Sequence, residues 1–311
     1  MSGPALPALF ISHGAPLFAI EAGASGPALT RLGQQLKAQA GARLRGVVIM
    51  SPHWMARSPA VMSNPAPATW HDFGGFPPAL YELDYPAPGA PGNRVRRAPA
   101  TWHDFGGFPP ALYELDYPAP GAPELAAEVG ALLREHGIAT EADAKRPFDH
   151  GAWVPLMHLF PDADVPVVQI ALPAGWGPEQ VYAMGQALQP LRERGVLLVG
   201  TGSMTHNLAE FFGGQREAAP YVVEFSRWVE SAIQRGDLAA LFDYQQQAPN
   251  ARRAHPGDDH FLPLFFALGA GGFGAGGEAV EAGYVTREVM YGILAMDSFA
   301  LPALAPATAT A

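Results

Sequence analysis

The sequence predicts an α/β protein, a single layered α/β/α domain over residues 1–311 around a mainly parallel, mixed central sheet. Three observations carry that expectation. Four short apolar or β-branched runs, "PALFIS", "GVVIMS", "VPVVQIAL" and "GVLLVGTG", have the length and composition of buried strands. Segments with helical periodicity lie between them. A histidine follows closely after three of the runs, and ligands of open α/β sheets gather at the carboxyl ends of the strands.

Taken in chain order, "PALFIS" runs into His13-Gly14, and a helix is expected over about 27–41. "GVVIMS" then ends at Pro52-His53-Trp54, and a second helix covers 124–136. "RPFDHGAWVPLMHLF" reads as a loop entering a helix at Asp149-His150. After "VPVVQIAL" comes a helix over 178–194, then "VLLVGTGSMT" runs into His206-Asn207, and a further helix covers 220–235. "GAGGFGAGG" at 269–277 has no following Lys-Ser/Thr and no preceding strand, so it predicts a mobile surface loop and not a phosphate cradle. The last residues, 303–311, predict a frayed tail.

Composition narrows the function. A chain of 311 residues, 49% hydrophobic and 15% charged, has the material for a large core. A net charge of −10 argues against nucleic acid or an anionic membrane as partner. With no cysteine, any metal must be held by His, Asp or Glu, and the chain is expected to be cytoplasmic. The first residues lack the basic region of a signal peptide, and no apolar run is long enough to span a membrane.

The ten histidines are 13, 53, 71, 103, 136, 150, 158, 206, 255 and 260. A single histidine after a strand is usually a satisfied polar residue. Three at equivalent positions shift the balance toward a metal site, because imidazole is the commonest metal ligand. His260, in "HPGDDHFLPL", has two readings of equal weight: a stray histidine beside an Asp-capped helix start, or the ligand that closes the site. His136 and His158 sit in helices and read as structural.

One stretch is duplicated. "APATWHDFGGFPPALYELDYPAPGAP" fills 66–91 and returns unchanged at 98–123, after the spacer "GNRVRR". Two identical copies without a third do not make a solenoid. The extra 32 residues read as a duplication of which one copy's worth docks, across the 66–97 and 98–129 region. Copy one is expected to dock, with the excess leaving through its "YPAPGAP" turn, which makes His71 the site residue in place of His103.

"LFISHGAP", "VIMSPHW", "HDFGGFPPALYELDYPAPG", "FDHGAWVPLMHLFPDADVPVVQIAL", "GTGSMTHNL" and "DDHFLPL" resemble, in this order and across nearly the whole chain, the LigB-type class III extradiol ring-cleavage dioxygenases. The resemblance implies one divalent metal, Fe(II) or Zn(II), held by His13, His53 and His260. His206 matches a catalytic acid/base or an additional ligand, and His150 a position behind the ligands or facing the substrate. His71, from the duplicated motif, joins His206 and His150 as a catalytic candidate. The implied reaction opens a catechol-type substrate, a DOPA-like one among the candidates, with O2 to give a muconic-semialdehyde-type product. Trp54 and Trp153 are expected to wall the ring. A Zn hydrolase using the same ligands and a non-catalytic binding protein on the same fold are the alternatives. The oligomeric state is open.

Overall fold

The computed structural model describes residues 4–73, 108–211, 217–274 and 280–304, and the backbone of residues 102 and 103. Its centre is one eight-stranded sheet. In chain order the main elements are β1 (Ala8–Ser12), α1 (Ser25–Ala40), β2 (Gly46–Ala56), β3 (Ala60–Met62), α2 (Pro123–Glu135) and β4 (Glu141–Asp143). They continue as α3 (His150–Leu159), β5 (Val167–Pro173), α4 (Pro178–Leu188), β6 (Val196–Gly202), α5 (Pro220–Gln234), α6 (Leu262–Gly271), β7 (Gly283–Thr286) and β8 (Ser298–Leu301). The strand order is β4-β3-β5-β2-β6-β1-β8-β7. The four central strands β5, β2, β6 and β1 are parallel, while β8 pairs antiparallel with β1 and β7, and β3 with β5.

The period of two along the strands splits the core into two layers. Phe10, Val48, Met50, Ile170 and Leu198 face α2, α4, α5 and α6. Leu9, Ile11, Ile49, Ala171 and Val199 face α1 and α3. Both faces of the central strands are therefore covered, which is why their sequences are continuously apolar. No helix among the described residues is long and apolar enough to cross a membrane.

Two details differ from the expectations. β2 does not stop at Ser51: Ser51 pairs with Ala171 and the next paired residue, Met55, with Leu172, so residues 52–54 bulge out of the ladder. Pro52 has no N–H to give a ladder, and the bulge throws His53 toward the strand ends. The glycine-dense stretch is not wholly a surface loop either. Residues 269–271 form the buried last turn of α6, and residues 275–279 lie outside the described ones. A Cβ on Gly269 would lie 2.0 Å from the Tyr182 carbonyl oxygen, so glycine there lets α6 meet the α4 backbone.

The duplicated stretch contributes from both copies. Copy one supplies 66–73, with His71 and Phe73 buried, and copy two supplies 108–123, with Leu112, Tyr117 and Ala119 buried. The two pieces are stitched together. Thr69 Oγ1 donates to Asp116 Oδ1 at 2.6 Å and accepts from the Tyr117 N–H at 2.9 Å. The described residues thus pass from copy one at Phe73 to copy two at Phe108, earlier in the motif than the copy-one "YPAPGAP" turn through which the excess was expected to leave. Identical copies offer identical contacts, and 117–123 runs directly into α2. The copy-one turn at 85–91 and the tail at 305–311 lie outside the described residues.

Candidate active site

Three imidazoles converge above the carboxyl ends of β1, β2 and β6. His13 follows β1, and its N–H donates to the Gly202 carbonyl of the neighbouring β6 at 2.9 Å. His53 rides on the β2 bulge. His260 lies just ahead of α6, and its carbonyl accepts from the Ser203 N–H at 2.9 Å. The His53 Nε2 is 3.2 Å from the Nε2 of His13 and 3.2 Å from that of His260. The opposite nitrogens are occupied: His13 Nδ1 pairs with Thr201 Oγ1 at 2.9 Å and His260 Nδ1 with Asp259 Oδ2 at 2.5 Å.

The donor set fits a divalent metal. Metal–nitrogen bonds of about 2.0–2.1 Å at right or tetrahedral angles put ligand nitrogens about 2.9–3.4 Å apart. The observed separations fall in that range, and one ligand atom from each of His13, His53 and His260 lies within 4.8 Å of the others. Burial, then the neighbouring imidazoles, hold the pKa values of His13 and His260 well below the ordinary histidine range, and burial and His150 do the same for His53. Neutral imidazole is the form that binds metal. Space is as tight as charge. A Cβ on Gly151 would lie 2.3 Å from Ser51 Oγ and 2.8 Å from His53 Cδ2.

A second cluster adjoins the first. His150 presents both its backbone N–H and its Nδ1 to Asp72 Oδ1, each at 2.8 Å, and its ring lies 3.8 Å from that of His53. Burial opposes charge on His150, but Asp72 and Asp149 outweigh it and raise its pKa. Burial likewise opposes the Asp72 carboxylate, yet His150 and His53 bring its pKa down to about 2. The two shifts describe one ion pair. Asp72, His53 and His150 also come within metal-ligand distance of one another. With Asp72 Oδ1 already accepting two hydrogen bonds, the ion pair is the better description.

The remaining candidates stand outside these two clusters. The His206 ring stacks on His260 at 3.5 Å and 8° and stands outside the three-imidazole group. Burial, then His255, lowers its pKa to about 4. His71 is buried among aromatic rings, 5.5 Å from Phe73 and 5.5 Å from Trp153 between centroids. Its neighbour Asp72 is the residue that reaches the cluster. The side chain of His103 lies outside the described residues, while its backbone pairs with that of His71. Trp153 is fully buried, with its Nε1–H on the Trp70 carbonyl at 2.9 Å, so it is core and not an exposed wall. Trp54 packs beneath the Arg146 guanidinium. His136 and His158 bond helix and loop carbonyls, as structural residues do.

Sequence reasoning did not single out Asp72, Thr201 or Arg146. For Asp259 the available signal was misdirecting. With Asp258 it reads as a helix cap, but α6 starts without a side-chain cap, and the carboxylate turns to His260.

With this geometry in hand, comparisons with known proteins agree. The family profile described as the catalytic LigB subunit of aromatic ring-opening dioxygenase matches residues 93–293. The chain is 33% identical to a 4,5-DOPA dioxygenase extradiol of Beta vulgaris, over 91% of this chain and 93% of that protein. It is 40% identical to the protein of that name from Mirabilis jalapa, over 73% of each, and 31% identical to the one from Escherichia coli K12, over 87% of each. A crystal structure of an uncharacterized Escherichia coli K12 protein superposes with a TM-score of 0.68 at 25% identity, covering 95% of this chain and 99% of that one. The chain belongs to the LigB family and is an extradiol-type, aromatic ring-opening dioxygenase.

Proposed function

We propose that the protein, as one catalytic domain, opens the ring of a catechol-type substrate beside the diol, using O2, to give a muconic-semialdehyde-type product. The observation that carries this reading is the convergence of the His13, His53 and His260 Nε2 atoms at the strand ends. These three would hold one divalent metal, with Fe(II) as the working ion and Zn(II) as the redox-inert alternative. Bound there, Fe(II) would relay electrons from the diol to O2 and so let ground-state O2 react with a closed-shell substrate.

The protein's own groups divide the remaining work. Three side chains are few enough to leave room for both substrate oxygens and O2. His206, stacked beside His260, would accept the proton of a catechol hydroxyl. His150, whose Nδ1 is held by Asp72, keeps Nε2 as its reactive nitrogen and is placed to deliver a proton over the His53 ring. His71 supports this pair from behind, through Phe73 and Trp153. Burial of the cluster limits water around the reacting atoms. The acidic chain is read as a cytoplasmic enzyme acting on a small molecule.

Reconstitution under anaerobic conditions with Fe(II), followed by a catechol and air, is expected to consume O2 and generate a yellow product. Turnover of esters or amides with Zn(II), without O2 uptake on the iron-loaded protein, would overturn the proposal in favour of a hydrolase.

A further inference from the structure

The bulge that carries His53 is held from both sides by one buried carboxylate. Asp149 is fully buried at the N-cap of α3, where a single bond to the Ala152 N–H would suffice. It accepts three further hydrogen bonds. Ser51 Oγ donates to Oδ1 at 2.7 Å, Arg146 Nη2 donates to Oδ2 at 2.8 Å, and Gln169 Nε2 donates to Oδ2. Two of those donors also grip His53. Ser51 Oγ accepts the His53 N–H at 3.2 Å, and Arg146 Nη2 donates to the His53 carbonyl at 3.2 Å. The Arg146 guanidinium is itself fixed between the rings of Trp54 and Trp70, at 4.9 and 5.0 Å.

We infer that Asp149 is a positioning residue for the metal centre: acting through Ser51 and Arg146, it clamps both backbone polar groups of His53 and so fixes where the bulge presents its imidazole. A three-residue bulge has no ladder of its own, so its backbone needs partners from elsewhere. Here those partners, Ser51 and Arg146, converge on one carboxylate, which holds both in place. The inference rests on the reading of His53 as a metal ligand, and the test separates the two.

Asp149→Asn, Ser51→Ala and Arg146→Met are compared with Gln169→Met, which removes a bond to Asp149 that does not lead to His53. Amide hydrogen exchange at His53 is measured in the metal-free protein, and Co(II) affinity by competition with a chelator. The three clamp variants are expected to speed exchange at His53 about 10-fold or more and to weaken Co(II) binding about 10- to 100-fold, as losses around metal ligands do. The Asp149→Asn/Arg146→Met double variant should bind Co(II) no more weakly than the worse single one, because both act through one clamp. Gln169→Met is expected to lower the melting temperature while leaving exchange at His53 and Co(II) affinity unchanged. Wild-type exchange in Ser51→Ala and Arg146→Met, or an equal loss of affinity in Gln169→Met, overturns the proposal, even if Asp149→Asn fails to fold. A wild-type protein that takes up no Co(II) refutes the ligand reading instead, and the exchange data then decide the clamp alone.

Discussion

Two histidine clusters share the His53 ring, and their pKa values are pushed in opposite directions. In one, His13, His53 and His260 are neutral; in the other, His150 is drawn toward its cation by Asp72. A neighbouring carboxylate alone does not explain the difference, since His260 also touches one, Asp259. The side chain of Asp259 is 33% exposed, so water screens it, whereas that of Asp72 is 9% exposed and takes two hydrogen bonds from His150. His260 also faces His206 and His53, which disfavour a further charge. Burial of the facing carboxylate and the count of facing imidazoles thus push the histidines of the two clusters in opposite directions.

The largest effects should fall on the first cluster. His13→Ala, His53→Ala and His260→Ala are each expected to abolish tight metal binding and, with it, turnover. Metal analysis after dialysis against excess chelator checks this, and stoichiometric metal retained by any of the three would remove that residue from the set. The second cluster should behave differently. His150→Ala is expected to keep the metal and lose turnover by roughly 10²- to 10⁴-fold, the usual worth of a positioned proton donor. Asp72→Asn, which keeps the shape but not the charge, should lose less, about 10- to 100-fold. Metal loss in Asp72→Asn would merge the two clusters into one.

Their legibility in the sequence differs for the same physical reasons. The strands carrying His13 and His206 announce themselves, because strands buried on both faces must be apolar throughout. His53 was found too, although the bulge that presents it reads as a strand end, since Pro52 stops the ladder locally and only pairing with β5 shows that it resumes. The edge strands β4 and β7, and β3 beside β4, are three or four residues long and incompletely buried, so little in their composition marks them. Asp72 was hidden by long-range contact: its meaning comes from His150, 78 residues away, and nothing local sets it apart from its neighbour His71.

His255 offers a test of burial at a histidine outside both clusters. It is buried against Phe225 and Phe261, bonds the Met204 carbonyl at 2.9 Å, and stands outside both clusters. Burial brings its pKa down to about 4. A histidine with a folded pKa below its unfolded one binds fewer protons when folded, so its neutral form is accommodated fully above about pH 6.5. Stability is then lost as the pH falls toward 4, by roughly 3 kcal/mol for a shift of this size. His255→Gln should remove that share of the acid sensitivity, measured as the difference in denaturant midpoints of the metal-free proteins at pH 7 and pH 4.5. An unchanged difference would mean that the site histidines carry all of it.

The smallest effect on the site is expected from the largest change to the chain. Only the second cluster depends on the duplicated stretch, through Asp72 of copy one, while His13, His53 and His260 all come from outside it. Removing residues 74–105 joins Phe73 to Gly106 and restores one uninterrupted "HDFGGFPPALYELDYPAPGAP". Because the copies are identical, removing any 32-residue window within the repeat gives the same protein. Metal content and turnover should be unchanged, and the shorter chain should gain up to about 3 kcal/mol from the loop it no longer closes. Asp72→Asn against Asp104→Asn, and His71→Ala against His103→Ala, then read the register directly in the full chain: the copy-one changes should cost activity and the copy-two changes should not. If the costs are reversed, copy two supplies the partner of His150. If neither single change costs activity but the double change does, the two copies exchange, and the proton-handling cluster tolerates a change of supplier that the metal cluster does not.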